Sequence, residues 1–319
     1  MTETVAKYLS FDGKTELVYR LYEPAEEVRG VVQIVHGMAE HVTRYEEYAR
    51  HLTGLGFAVA GNDHLGHGDS CPDESNLGFF AAAGGTRTVI EDVHSLTSIL
   101  KEKYPGRPLI LLGHSMGSFI ARLYLSEYAE DLTGAIIMGT AGPGAPTGPA
   151  VALINLISLF KGEAHRSKFI DKLAFGSYNK KIKPARTKFD WLTKDESVVD
   201  RYIEDPKCGF LFTLSGYRDL MSFISECNAS SWAETVPTNL PVLVISGEDD
   251  PVGNYGEGPK KVAGMLAAAG SVGVTLKLFR GDRHEILNET DREKVYEAID
   301  AWIAGILPEE PEAADNEGD

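Results

Sequence analysis

Residues 109–124 read LILLGHSMGSFIARLY. An apolar run suited to a buried strand drives into Gly113-His114-Ser115-Met116-Gly117, and the residues beyond it have helical periodicity. A serine with glycine two positions to either side, between a strand and a helix, is the pattern of a nucleophile elbow. Small residues let the backbone close tightly there and leave the hydroxyl exposed. This segment requires an α/β sheet to hold it and points to nucleophilic serine chemistry.

The remaining chain alternates in the way such a sheet needs. The patterns predict a hairpin over 5–23 turning at Asp12-Gly13, strands over 31–35, 57–61, 134–138, 241–245 and 274–279, and helices over 44–55, 86–104, 116–128, 255–269 and 292–306. Strands separated by helices imply an α/β fold with a mostly parallel sheet, flanked by helices, that binds ligands at the strands' carboxyl ends. The alternation breaks at 141–149, where Gly142, Pro143, Gly144, Pro146, Gly148 and Pro149 crowd together and regular structure is not expected. No clear strand signal returns until residue 241. The expected organisation is a core of 1–142 and 237–307, a helical cap inserted over 143–236, and a disordered acidic tail over 308–319.

Charge is unevenly placed on a chain whose net charge is -16. Residues 161–188 carry nine Lys or Arg against Glu163 and Asp171. A solvated helical face is one reading of that cluster. The other is contact with a membrane surface, because the basic residues follow the apolar stretch 151–160 directly and could meet anionic headgroups. The amino terminus has no apolar core of a signal peptide, and no run of 18 apolar residues occurs. Three widely spaced cysteines, Cys71, Cys208 and Cys227, fit reduced thiols better than disulfides or a zinc site. The expectation is a cytoplasmic enzyme with no metal, no cofactor and no nucleic-acid partner; nothing in the pattern addresses oligomeric state.

A serine nucleophile needs a base to take its proton and an acid to orient that base, and elbow hydrolases supply them in the chain order Ser, Asp or Glu, His. Ser246-Gly247-Glu248-Asp249-Asp250-Pro251 follows the penultimate strand, and His284 follows the last. The expected triad is Ser115, Asp250 and His284. Asp250 is preferred to Asp249 because Pro251 restricts the backbone beside it. His64 and His67 lie three apart, but in a loop pattern common to metal-free hydrolases; His36 and His114 read as structural hydrogen-bonding residues.

At these residues the chain resembles the monoacylglycerol lipase and lysophospholipase branch of the α/β-hydrolases. The matching blocks, in order, are His36-Gly37-Met38-Ala39-Glu40-His41 with Arg44-Tyr45, Asp63-His64-Leu65-Gly66-His67-Gly68-Asp69-Ser70, the elbow, Asp250-Pro251-Val252-Gly253 and His284-Glu285. They span about residues 7 to 305, and no block within 143–236 matches. One departure is Met38-Ala39, where members often carry a smaller residue and then glycine, a difference that bears on the pocket floor. The resemblance implies an oxyanion hole made by the backbone N–H groups of Met38 and Met116, and hydrolysis of a small-molecule acyl ester, a monoacylglycerol or lysophospholipid. A short-chain carboxylesterase and a serine aminopeptidase of the same fold are the alternatives. The peptidase ranks lower because it needs an acidic cluster in the cap and usually has glycine in place of His114.

Overall fold

Five strands of this chain are apolar along almost their whole length, which suits strands covered on both faces. They are β3 (Gly30–Val35), β4 (Phe57–Asn62), β5 (Leu109–His114), β6 (Gly134–Met138) and β7 (Val242–Gly247), and every residue in them is buried. The hairpin of β1 (Thr2–Leu9) and β2 (Glu16–Glu23) adds one edge and β8 (Val274–Phe279) the other, giving one eight-stranded sheet of order β1-β2-β4-β3-β5-β6-β7-β8. β1 and β2 pair antiparallel, as do β2 and β4; the other five pairings are parallel. The computed structural model describes residues 1–71 and 73–307, so the tail expected over 308–319 lies outside the described residues.

Nine helices are present among the described residues: α1 (Glu46–Gly54), α2 (Gly85–Lys103), α3 (Met116–Tyr128), α4 (Thr147–Lys161), α5 (Lys168–Phe175), α6 (Glu196–Glu204), α7 (Leu214–Cys227), α8 (Glu257–Ala268) and α9 (Glu293–Ile306). Side chains alternate across the sheet. Val31, Leu109, Leu111, Ala135, Ile137, Val242 and Val244 share one core with α2, α3 and α8, while Val32, Ile34, Ile110, Leu112, Ile136, Leu243 and Ile245 share the other with α1 and α9. Each fully buried aliphatic side chain contributes ~1.5–3 kcal/mol. One polar residue in these strands is Gln33, whose amide donates to Val93 O at 2.8 Å and accepts from Thr97 Oγ1 at 2.7 Å. It therefore locks β3 to α2 rather than weakening the core.

Most predicted elements lie within two residues of their observed limits, and the differences have local causes. The helix expected from 44 begins as a 3-10 turn, Val42–Tyr45, before α1. The helix expected from 255 starts at Glu257, because Asn254, Tyr255 and Gly256 all have positive φ and cannot enter a right-handed helix. The expectation of irregular chain over 141–149 holds only to Pro146. α4 takes in Thr147, Gly148 and Pro149, and a proline in the first turn removes an N–H that had no helical partner. Between β6 and β7 the described residues form α4 to α7 and 3-10 turns, with no strand. Cys71, Cys208 and Cys227 are free and buried, and among the described residues no helix is long and apolar enough to cross a membrane.

Candidate active site

β5 and α3 meet at Ser115, whose φ of 55° and ψ of -120° are a strained combination for a side-chain-bearing residue. Both flanking glycines are forced by contact. A Cβ at Gly117 would lie 1.9 Å from Val35 O, and one at Gly113 would lie 2.3 Å from Gly117 O. The turn is held by Ser115 N donating to Met138 O at 3.0 Å and by Ser118 N donating to Ser115 O at 2.9 Å. Ser115 sits on the wall of a cavity of about 730 Å³.

The loops after β7 and β8 carry Asp250 and His284. His284 Nδ1 donates to Asp250 Oδ2 at 2.9 Å, both residues are buried, and His284 lines the same cavity as Ser115. Asp250 also accepts from Val252 N at 2.8 Å and from Ser246 Oγ at 3.3 Å, so its carboxylate is fixed on both oxygens. Asp249, the competing acid, is exposed. The imidazole is packed between Trp191, at 5.0 Å between ring centres, and His114, at 4.8 Å. Gly139 leaves room for it, since a Cβ there would stand 3.1 Å from His284 Cε1.

Met38 and Met116 line the same cavity as Ser115, and among the described hydrogen bonds neither backbone N–H has an acceptor. The Met38 loop is strained at its next residue: Ala39 has a φ of 52°. Its backbone is held from both sides. Ala39 N donates to His67 Nε2 at 3.3 Å, and Ala39 O accepts from Gly209 N at 2.9 Å and from Tyr202 Oη at 3.0 Å.

At the cavity floor lies a buried charge network in which the sequence reading gave a role only to His114, as a structural hydrogen-bonding residue. Arg44 bridges Glu285, through two contacts of 2.7 Å, and Glu40, at 2.5 Å. Glu40 Oε1 also accepts from Gly37 N at 2.6 Å and from Tyr45 Oη at 2.7 Å. His114 places Nδ1 2.8 Å from Tyr45 Oη and Nε2 3.3 Å from His284 O, so both ring nitrogens meet oxygens able to accept. Burial opposes the imidazolium, but Glu40 overcomes it and raises the His114 pKa. Burial likewise opposes both carboxylates, and they are held below their usual range: Glu40 by His114 and Arg44, Glu285 by Arg44. Arg44, its two carboxylates and His114 thus join the Met38 loop, the elbow and the His284 loop. Removing Arg44 would leave two carboxylates buried against each other. Arg44→Met is expected to lower the unfolding free energy by ~3–5 kcal/mol, measured by urea denaturation. Arg44→Lys should recover little of it, because a lysine cannot form the bidentate pair.

His36, His64 and His67 form a second cluster, and the bonds of His36 and His67 require neutral rings. His36 Nε2 accepts from His64 N at 3.0 Å and His67 Nε2 accepts from Ala39 N. Burial lowers all three, His64 to about 3 and His67 to about 4. The unfolded chain, with ordinary histidines, therefore binds more protons than the native state below about pH 6.5, and acidification removes stability. Burial of Asp92 and Asp219, pushed up to about 7, acts in the opposite sense between pH 7 and 4. Below about pH 4.5 that compensation fades and Glu40 and Glu285 add to the loss. Urea midpoints are expected to vary little from pH 7 to 5 and to fall steeply below about 4.5.

With His67 committed through both nitrogens and His64 Nε2 facing His36 O at 3.3 Å, the His64 and His67 pair offers no shared vacancy for an ion. Two other groups bring three potential ligand residues together among the described residues: His41, Asp205 and Cys208, and Asp282, Glu289 and Asp291. In the first, His41 Nε2 already bonds Asp205 at 2.8 Å; in the second, Lys194 and Lys294 occupy Asp282 at 2.7 and 3.1 Å. Neither group lines the cavity.

The sequence and the fold both have counterparts among known proteins. A monoacylglycerol lipase from Mycolicibacterium smegmatis is 28% identical over 298 residues, covering 92% of this chain and 95% of that protein. A monoglyceride lipase from Homo sapiens is 27% identical, covering 90% and 86%. Among solved structures, a highly thermostable carboxyl esterase from Bacillus coagulans, in complex with glycerol, superposes with a TM-score of 0.89 at 34% identity, covering 96% of this chain and 99% of that one. The profile of the family described as serine aminopeptidase, S33, matches residues 26–291. By that match, and with relatives of this kind along most of its length, the chain belongs to the serine aminopeptidase S33 family, on the monoacylglycerol-lipase-like branch of the α/β-hydrolases.

Proposed function

We propose that this chain is a serine carboxylic-ester hydrolase that cleaves monoacylglycerols or related single-chain acyl lipids through an acyl-enzyme. The observation that carries the reading is the buried 2.9 Å pair of His284 and Asp250, whose imidazole lines the cavity that also holds Ser115. With Nδ1 engaged by Asp250, the imidazole has Nε2 left to take the Ser115 proton as Oγ attacks the ester carbonyl. The N–H groups of Met38 and Met116 receive the oxyanion, and the network at the floor keeps their loops in register with His284. His284 then protonates the departing alcohol, and water repeats the sequence to free the acid.

Residues 143–236 act in this reading as the cap over an acyl site. They contribute Leu153, Ile154, Ile170, Leu220 and Ile224 to an apolar cavity whose size lies within the ~300–1,000 Å³ typical of ligand pockets. The relatives are named as lipases and an esterase, whereas the family description names a peptidase. An aminopeptidase needs a free carboxylate to hold the substrate's amine, and the acids on this cavity are engaged: Glu40 and Glu285 by Arg44, and Asp171 by Tyr217 Oη at 3.0 Å. A panel of monoacylglycerols, lysophospholipids, short nitrophenyl esters and aminoacyl anilides tests the reading. The highest kcat/KM is expected on long single-chain esters; preference for the anilides would overturn the lipid assignment and leave the triad standing.

The cap is also where transient membrane contact belongs in this proposal, for a protein that we place in the cytoplasm. α4 buries only Ile154, while Leu159 and Phe160 are 81% exposed and Phe169 and Leu173 of α5 are 61% exposed. Lys161, Lys168 and Lys172 lie on the same two helices. Apolar side chains that enter the interface beside lysines worth ~1 kcal/mol each at an anionic surface predict salt-sensitive binding to anionic vesicles. Sedimentation to the same extent with neutral and anionic vesicles would remove the electrostatic part of this proposal.

A further inference from the structure

Arg122, on α3 seven residues beyond Ser115, is fully buried, and among the described residues no carboxylate pairs with it. Its guanidinium donates to neutral oxygens instead. Nη1 reaches Ala141 O at 3.1 Å and Thr140 Oγ1 at 3.5 Å, and Nη2 reaches Asn228 Oδ1 at 3.1 Å as well as Cys227 O. The cation lies 4.2 Å from the centre of the Trp232 ring, and Trp232 Nε1 donates back to Arg122 O at 2.7 Å.

A buried cation without a counter-charge is costly, and packing alone does not need one, since an apolar side chain of similar length would fill the space. What an apolar residue cannot do is bridge. Thr140 and Ala141 stand where the chain leaves β6 for the segment 143–236; Cys227 and Asn228 stand where α7 ends, and Trp232 lies on the return to β7. One side chain therefore joins departure and return to the helix that begins at the nucleophile. Between those roots, α7 presents Tyr217, Leu220, Met221 and Ile224 to the cavity.

We infer that Arg122 is a positioning residue for the acyl chain: by holding both roots of the cap against α3 it fixes the α7 wall of the cavity, and so sets selectivity for long chains without touching the reacting atoms. The inference rests on reading 143–236 as a cap over an acyl site. Displacement of a binding wall by a remote substitution is worth up to ~100-fold. Arg122→Met is expected to lower kcat/KM for 1-oleoylglycerol by ~10- to 100-fold, mostly through KM, while kcat/KM for p-nitrophenyl acetate changes less than about threefold. Labelling of Ser115 by a fluorophosphonate should persist, and hydrogen exchange should quicken over 214–228. Arg122→Lys should behave like the methionine variant, because one ammonium cannot span both roots.

Equal loss on both esters, or full rescue by lysine, would overturn the inference, the first by placing the effect on the nucleophile helix and the second by showing that charge alone suffices. If Arg122→Met does not fold, Asn228→Ala removes one root contact and should show the same split at smaller size; an unchanged ratio of the two substrates would overturn it equally. Should the wild type itself show no preference for the long ester, the functional reading fails, whereas exchange over 214–228 still reports whether Arg122 holds the roots.

Discussion

Ser115→Ala is expected to lower kcat on any ester this protein cleaves by ~10⁶-fold, and to abolish labelling by a fluorophosphonate while leaving the unfolding midpoint within about 1 °C of wild type. The reason lies in the elbow. Ser115 is the side chain at the turn of φ 55°, on the cavity wall, and no described hydrogen bond of the fold depends on its Oγ. Its backbone does the structural work, through Ser115 N to Met138 O and Ser118 N to Ser115 O, and alanine keeps both. A hydroxyl that is dispensable for the fold and indispensable for turnover is the signature of a nucleophile. Retention of more than about a hundredth of the activity would mean that the bond-breaking chemistry runs elsewhere.

Asp250→Asn is expected to cost ~10⁴-fold in kcat with little change in KM. An amide in place of the carboxylate still fills the site and still receives Val252 N, but it presents either no charge or the wrong group to His284 Nδ1, so the imidazole loses its orientation and the imidazolium its stabilisation. The control is the neighbouring acid. Asp249 is exposed and far less constrained, and Asp249→Asn should stay within about threefold of wild type. If the two substitutions exchanged their effects, the acid would have been assigned one residue too late, although the hydrolase reading itself would survive.

The sheet was readable in the sequence because strands buried on both faces leave a continuous apolar signal, as in Val31-Val32 and Ile136-Ile137. The elbow and the Asp250 loop were readable because each follows such a strand, and the His284 loop because it follows the last strand, β8, whose pattern alternates. α4 was hidden at its start because Gly148 and Pro149 read as turn residues, and only the geometry of a first turn makes them compatible with a helix. The network at the floor was invisible as a network. Arg44 and Glu285 stand 241 residues apart, and nothing in either block says that they meet. Spacing could have raised Glu40 with Arg44 as an i,i+4 pair, but not the burial that makes it important. Arg122 gave no signal at all, because its partners are backbone oxygens and an aromatic face, which any sequence can supply.

His284 N bonds Trp191 O at 3.4 Å and Glu285 N bonds Leu192 O at 2.7 Å, while Gly209 N and Tyr202 Oη hold Ala39 O. All four contributors belong to the stretch between β6 and β7, so that stretch braces the Ala39 and His284 loops through three main-chain atoms and one tyrosine hydroxyl. Engineers who wish to transplant it from a relative to change substrate preference would be exchanging a scaffold brace along with a pocket. A chimera should work only when its donor loops reproduce those handholds, the hydroxyl at position 202 included.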